Sequence, residues 1–306
     1  MGSDENLMAP DKRAHSAHRS IGSTVLFAFV ALVSVALAIL GVYLIVPRDS
    51  TQPTSHSVSA PGSQSTVPVP KSSVPQTTSP PTNAALPLSG KVIGIDPGHN
   101  GGNFSNPAYL NQTIFNGRED EACDTTGTET DSGYTEAEYN FTVAELLQAD
   151  LKADGAQVVM TRDSNSGVGP CVDKRAEILN AANPAVSIDI HADGGSASGR
   201  GFAVLEPVTD STNAAFVTPS EQFGADLIQS FQGTGMPISN YDGTNGVAYR
   251  PDLAGLNLTT EPKVLIECGN MRNATDAAML QSPTFQQAAA EAIASAIVTF
   301  VTSQRS

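Results

Sequence analysis

Hydrophobic and polar positions change texture twice along the chain. From Ile21 to Val46 no charged residue occurs, and at about 1.5 Å rise per residue the run exceeds the roughly 20 residues that cross a bilayer. It predicts a transmembrane signal-anchor helix over residues 21–46. Residues 47–89 are dominated by Ser, Thr, Pro, Gln and Val with no sustained period. That is too little apolar surface to offset the cost of ordering, so the segment reads as a disordered, partly polyproline-like linker. From residue 90 onward the pattern tightens. Lys91-Val92-Ile93-Gly94-Ile95, Ala156-Gln157-Val158-Val159-Met160, Ala185 to Ile190 and Val264-Leu265-Ile266 are short, β-branched-rich runs that predict buried strands. Glu136 to Asp154, Val172 to Ala182, Ser220 to Gln232 and Pro283 to Thr302 carry helical spacing. The alternation predicts a single α/β domain over residues 90–306, with a mainly parallel, mixed twisted sheet flanked by helices. In such sheets functional groups gather beyond the carboxyl ends of the strands.

Charge orients this plan. Lys12, Arg13 and Arg19 precede the apolar run and only Arg48 follows closely, so the positive-inside rule leaves residues 1–20 as a cytoplasmic tail and everything after the span outside. A cleaved signal peptide is the competing reading. The run is long for a signal-peptide core, and its Leu44-Ile45-Val46-Pro47 end lacks a small-x-small cleavage pattern. The expected location is therefore the cell membrane, single-pass, with the folded domain extracytoplasmic. A net charge of -15 over 306 residues argues against nucleic acid as a partner, because gripping phosphates needs clustered Lys and Arg.

Candidate chemistry sits at the strand ends. Asp96-Pro97-Gly98-His99-Asn100-Gly101-Gly102 follows the opening strand, and His191 closes Ser187-Ile188-Asp189-Ile190-His191. Of five His in the chain, His15, His18 and His56 lie in the tail or linker, so both His of the folded domain occupy strand ends. Two imidazoles bind a divalent metal usefully when a carboxylate joins them, and a His₂Glu set leaves a fourth tetrahedral position for water. Glu136 and Glu138 both open the helix after Tyr134, and periodicity alone does not choose between them, since acidic residues in a first turn also suit the helix dipole. Glu267, in Val264-Leu265-Ile266-Glu267-Cys268-Gly269-Asn270, is a carboxylate after an apolar strand, where charge is rarely tolerated without a role. It is a candidate general base.

Together, the Ile95 to Gly101 run, the Glu136 helix with Asn140 four residues on, the Ser187 to Asp193 segment and Ile266-Glu267-Cys268-Gly269-Asn270 followed by Asn273 resemble the zinc-dependent N-acetylmuramoyl-L-alanine amidases of the Amidase_3 family. The resemblance covers roughly residues 90 to 303. It implies Zn2+ held by His99, Glu136 and His191, with Glu267 as catalytic base. It favours Glu136 over Glu138 because the family's helix carries an Asn four residues after the ligand. The implied substrate is peptidoglycan or its muropeptides, cut at the amide between the lactyl group of N-acetylmuramic acid and L-Ala. A homologue that binds peptidoglycan or a regulator without cutting it, or a zinc peptidase acting within the stem peptide, would share much of this constellation.

Strand alternation turns Cys268 to the face opposite Glu267, which suggests a buried, inert thiol. Outside the cytoplasm Cys123 and Cys171, in two loop-like segments, can form a disulfide, and the resemblance supports that pairing. Other pairings among the three Cys, or none, stay open. Asn103 to Ser132 is a long polar insertion with a negative cast, readable as a lid, a substrate selector or a plain solvated loop. Gly194 to Gly201 lies where it could shape a groove. Arg175 and Asn180 resemble a family helix motif and read as structural.

Overall fold

The computed structural model describes residues 85–304. The predicted span and most of the linker lie outside the described residues. Among those described, no helix is long and apolar enough to cross a membrane. The elements are β1 (Val92–Pro97), α1 (Pro107–Leu110), β2 (Thr113–Phe115), β3 (Asp120–Ala122), α2 (Glu136–Ala153), β4 (Gln157–Met160), α3 (Val172–Ala182), β5 (Val186–Asp193), β6 (Ala203–Pro207), α4 (Val217–Phe231), β7 (Val247–Arg250), α5 (Ala254–Asn257), β8 (Lys263–Asn270), α6 (Ala274–Leu280) and α7 (Pro283–Ser303).

Six strands form one sheet in the order β4-β1-β5-β8-β6-β7. β4, β1, β5 and β8 run parallel, β6 is antiparallel to β8, and β7 runs parallel to β6. The expected mainly parallel, mixed sheet is present. Its central strands are apolar on both faces because both are covered. Ile93, Ile95, Ile188, Ile190, Val264 and Ile266 face a large core shared with Leu147 of α2, Phe223 of α4 and Phe300 of α7. On the opposite face a smaller cluster joins Ala203, Leu205, Ala248, Leu256 and Leu265, and α3 and α5 pack on that side.

Helix α2 starts where a capping residue allows it. The Thr135 side chain accepts a hydrogen bond from the Glu138 amide, with Glu136 and Glu138 in the first turn. Tyr139, Val143, Leu147 and Leu151 recur every four residues on its buried face.

Three expectations need correction. The central strands are longer than their apolar runs: β5 continues through His191 and β8 through Glu267, so these residues stand within strands rather than after them. Pairing between the strands sustains the extension, with His191 opposite Glu267 in parallel register and an irregularity only between His191 and Asp193. Strands β6 and β7 have no counterpart in the predicted elements; they are short, and β6 closes on Glu206-Pro207. The 103–132 insertion, for which a plain solvated loop was one reading, carries structure of its own. It holds a 3-10 turn, α1 and the β2–β3 hairpin, and a disulfide between Cys123 and Cys171, Cα–Cα 4.5 Å, joins it to the start of α3. Cys268 is buried and free.

Candidate active site

The turn after β1 presents His99. Gly98 is required there: a Cβ on it would come within 2.1 Å of the His191 ring. His99 itself adopts φ 57, a left-handed conformation uncommon for a residue with a side chain. The surroundings over-determine it. Arg162 donates from Nε to the Pro97 carbonyl at 2.9 Å and from Nη2 to the Ala137 carbonyl at 2.9 Å. Arg175 donates from Nη1 to Asp96 Oδ1 and the Pro97 carbonyl, both at 2.8 Å, and from Nη2 to the His99 carbonyl at 2.8 Å. Asn140 donates to the Gly98 carbonyl at 3.2 Å. Two buried guanidiniums and an amide thus hold a strained turn in one geometry.

Glu136 opens α2 with its carboxylate between the two imidazoles. Its Oε1 lies 2.8 Å from His191 Nδ1 and 3.2 Å from His99 Nε2, while Oε2 accepts from the Thr128 amide at 2.9 Å. Glu138, two residues on and so on the opposite side of the helix, is exposed, so the phase of the helix brings Glu136 and not Glu138 to the histidines. The rings of His99 and His191 meet edge to face with centroids 4.9 Å apart.

His99 Nδ1 lies 3.2 Å from the Thr125 carbonyl and 3.3 Å from Asp124 Oδ1. A carbonyl only accepts, so an Nδ1 proton is donated there, and Nε2 is the ring nitrogen that faces Glu136. Burial opposes charge on His99, but Glu136 and Asp124 outweigh it and push the imidazole up to about 10. Burial likewise opposes the Glu136 anion, and the two histidines hold it well below the usual carboxylate range. The surroundings therefore concentrate opposite charge at one point. The ligand atoms of His99, Glu136 and His191 all lie within 4.8 Å of one another. Two imidazole nitrogens and a carboxylate oxygen form a donor set that suits zinc.

Glu267 stands beside His191 across the β5–β8 ladder. Its Oε2 is buried without a hydrogen-bond partner. Burial and the neighbouring Glu136 and Asp193 carboxylates push its pKa well above the ordinary value. Cys268 points into the core on the other face, where burial pushes its thiol up to about 12.

A groove of about 380 Å³ opens over these residues, lined among others by His99, Glu136, His191, Glu267, Leu265 and Arg250. The Gly194–Gly201 segment flanks it. Asn270 fixes that segment by donating to the Ser196 and Gly199 carbonyls at 2.7 and 2.9 Å. Asn273 donates to Ala197 at 2.8 Å, and Asp276 accepts from the Gly201 amide at 2.7 Å. Asn180 donates to the Leu258 carbonyl at 2.8 Å; like Arg175, it ties loops together.

Asp124, Arg162 and the Thr125–Thr128 strap were not singled out in the sequence. The strap's Gly127 packs so closely that a Cβ would come within 2.7 Å of His99 Cδ2 and 2.8 Å of Glu136 Oε2. The only sequence signal was indirect: Asp124 follows Cys123, and a disulfide fixes the residue beside it.

A family model described as Amidase_3, N-acetylmuramoyl-L-alanine amidase, matches residues 93–299. The N-acetylmuramoyl-L-alanine amidase Rv3717 of Mycobacterium tuberculosis is 39% identical over 218 residues, covering 71% of this chain and 89% of that protein. Among solved structures, the N-acetylmuramyl-L-alanine amidase Ami1 from Mycobacterium smegmatis superposes with a TM-score of 0.67 at 38% identity, over 71% of this chain and 99% of that one. The apo form of Ami1 from Mycobacterium abscessus gives 0.65 at 40% identity, over 70% and 99%.

Proposed function

This chain belongs to the Amidase_3 family of N-acetylmuramoyl-L-alanine amidases and is a peptidoglycan amidase; from that premise we propose that it is zinc-dependent and cuts the amide between the muramoyl lactyl group and L-Ala. The observation that carries this reading is the pairing of two things on adjacent strands. The His99, Glu136 and His191 ligand atoms converge within 4.8 Å, and Glu267, opposite His191 in register, leaves Oε2 without a partner.

In this reading His99, Glu136 and His191 hold the zinc, and the Asp124 carboxylate and Thr125 carbonyl keep the His99 tautomer that ligation needs. Bound zinc would supply Lewis acidity, lowering the pKa of a water and polarising the scissile carbonyl. Glu267 takes the proton of the attacking water at Oε2 and returns it to the departing nitrogen. The water oxygen bonds to the lactyl carbon, the C–N bond breaks, and the products are a lactyl carboxylate and the free amine of L-Ala. Burial first, and then the neighbouring Glu136 and Asp193 carboxylates, raise the proton affinity of Glu267, which favours its taking the proton.

The membrane anchor over residues 21–46 and the extracytoplasmic location are also proposed, on the uncharged run and the basic residues before it. Fractionation of cells should leave the full chain in the membrane pellet and residues 90–306 soluble; a soluble full chain of unprocessed mass would remove the anchor.

The test of the activity is to incubate the zinc-loaded full chain, beside Glu267→Ala, with purified muropeptides and identify products by mass spectrometry. Release of stem peptides beginning with L-Ala by the parent alone is expected. Cleavage inside the stem would instead mark a zinc peptidase, and binding without cleavage a non-catalytic homologue.

A further inference from the structure

Thr126, Gly127 and Thr128 of the strap are walls of two cavities, the catalytic groove and a second one of about 490 Å³ bounded also by Asn100, Phe104 and Thr135. The second differs in chemistry. Among the described residues that line it, Glu129 is the one that carries charge, whereas the groove holds Glu136, Asp193 and Glu267. Thr135 Oγ1 accepts from the Glu138 amide at 3.3 Å and keeps its proton to donate. Thr126 Oγ1 donates to the Gly127 carbonyl at 3.1 Å and keeps lone pairs to accept. Asn100 is buried, and its Oδ1 has no hydrogen-bond partner. Phe104 borders the cavity with 83% exposure. A lone exposed ring is ordinary, but this one is held in place. The Gly102 amide donates to the Gly167 carbonyl at 2.7 Å, and a Cβ on Gly102 would come within 2.2 Å of that oxygen. Asn103, fully buried, donates from Nδ2 to the Thr125 carbonyl at 2.8 Å and to Asp124 Oδ2 at 3.1 Å. The turn that presents the ring is thus tied to the strap that supports His99.

We propose that this cavity is the subsite for the N-acetylated sugar on the acyl side of the scissile bond, with Phe104 as its stacking platform. The inference rests on the amidase reading, in which the acyl half of the substrate is N-acetylmuramoyl and the other half leaves as an amine. The two halves ask for opposite surroundings. A departing amine becomes cationic and suits the carboxylate-rich groove. The sugar, with its acid tied up as the amide, is neutral and offers hydroxyls, an acetamido group and a C–H face. Neutral hydroxyl and amide side chains meet the first two, and the electron-rich face of an aromatic ring meets the polarised C–H groups. Because the strap is common to both cavities, a substrate whose amide lies over His99 and Glu136 need only cross it to bring its sugar to Phe104. A ring on a pinned turn loses little freedom on binding. A protein partner would call for a broader apolar patch, and among the described residues lining the cavity Phe104 is the one large apolar side chain.

The chain contains no Trp, so Phe104→Trp in the full chain places a single fluorophore on the platform. Titration with the peptide-free disaccharide of N-acetylglucosamine and N-acetylmuramic acid should shift its emission saturably, with or without zinc, and free stem peptide should not. Hydrolysis gives a second readout. The zinc-loaded full chain should cut the disaccharide-bearing stem peptide with kcat/KM about tenfold above that for a lactyl-stem peptide lacking the sugar, the order expected of one stacking contact. In Phe104→Ala that ratio should fall to about one, through KM, and in Phe104→Trp it should be kept. Emission that ignores the disaccharide, or a ratio that is the same in the parent and Phe104→Ala, overturns the subsite. So does emission that changes with protein concentration and not with sugar, which marks Phe104 as a contact between copies of this chain. Failure of the parent to cut either substrate strikes the amidase reading instead, and the titration then judges the subsite alone.

Discussion

Glu267 and Gly98 show how much hangs on single side chains. Glu267→Gln keeps the shape and removes the proton acceptor, so kcat should fall by about 10²–10⁴-fold while the thermal unfolding midpoint stays within a few degrees of the parent. An unchanged rate would assign the base elsewhere. Gly98→Ala tests position, not chemistry. With a Cβ required to sit 2.1 Å from the His191 ring, the imidazole must move, and zinc affinity measured by competition should weaken by about 10–100-fold, as for loss of a supporting contact around a metal ligand. Parent-like affinity would show that the turn can shift instead. His99, His191 and Glu267 were legible as residue types at the ends of apolar runs. Asp124 and Arg162 were not, because an Asp in an acidic insertion and an Arg after a strand carry no local pattern that separates them from solvated charge.

At the scale of elements, the insertion is organised by its disulfide. The bond closes onto Cys171 at the N-terminus of α3, and the Val172 amide donates to the Cys123 carbonyl at 2.8 Å, so Asp124 is braced against His99. Removing a bridge of sequence separation 48 should cost about 4 kcal/mol on the loop-entropy model. Cys123→Ser with Cys171→Ser, followed by denaturant unfolding, reads this, and a loss under about 1 kcal/mol would mean the loop is held by its other contacts. Strand β6 carries a second, independent effect. Burial, with Glu221 nearby, pushes Glu206 up to about 7, and Gly224 of α4 lies so close that a Cβ would come within 2.3 Å of its Oε1. The folded state binds this proton more tightly than the unfolded chain does, so the contribution is fully present below the unfolded value of 4.5 and is lost as pH rises through about 7. Glu206→Gln should therefore be more stable than the parent at pH 8, by about 1–3 kcal/mol, with the difference closing below pH about 5. Equal pH dependence of the two unfolding midpoints would contradict the assignment.

For the molecule as a whole, zinc is expected to link activity and stability. A chelator should abolish hydrolysis, added zinc should restore it, and the apo protein should unfold at lower temperature, since a ligand at about 100 times its Kd stabilises by about 2.7 kcal/mol. Hydrolysis that survives complete metal removal would end the zinc reading. Periodicity along the chain was enough to determine the α/β class, the four main helices and the central strands, because burial on two sheet faces and along one helix stripe writes directly into residue spacing. Chemistry at strand ends was enough to nominate His99, His191 and Glu267. The resemblance favoured Glu136 over Glu138 where periodicity left them open, and the helix phase of the tertiary structure agrees; only the tertiary structure extended β5 and β8 through His191 and Glu267 by their mutual pairing and drew Asp124, Arg162 and Arg250 to the site. Those decisions depend on contacts between residues 25 to 100 or more positions apart, and no local pattern of hydrophobic and polar residues records them.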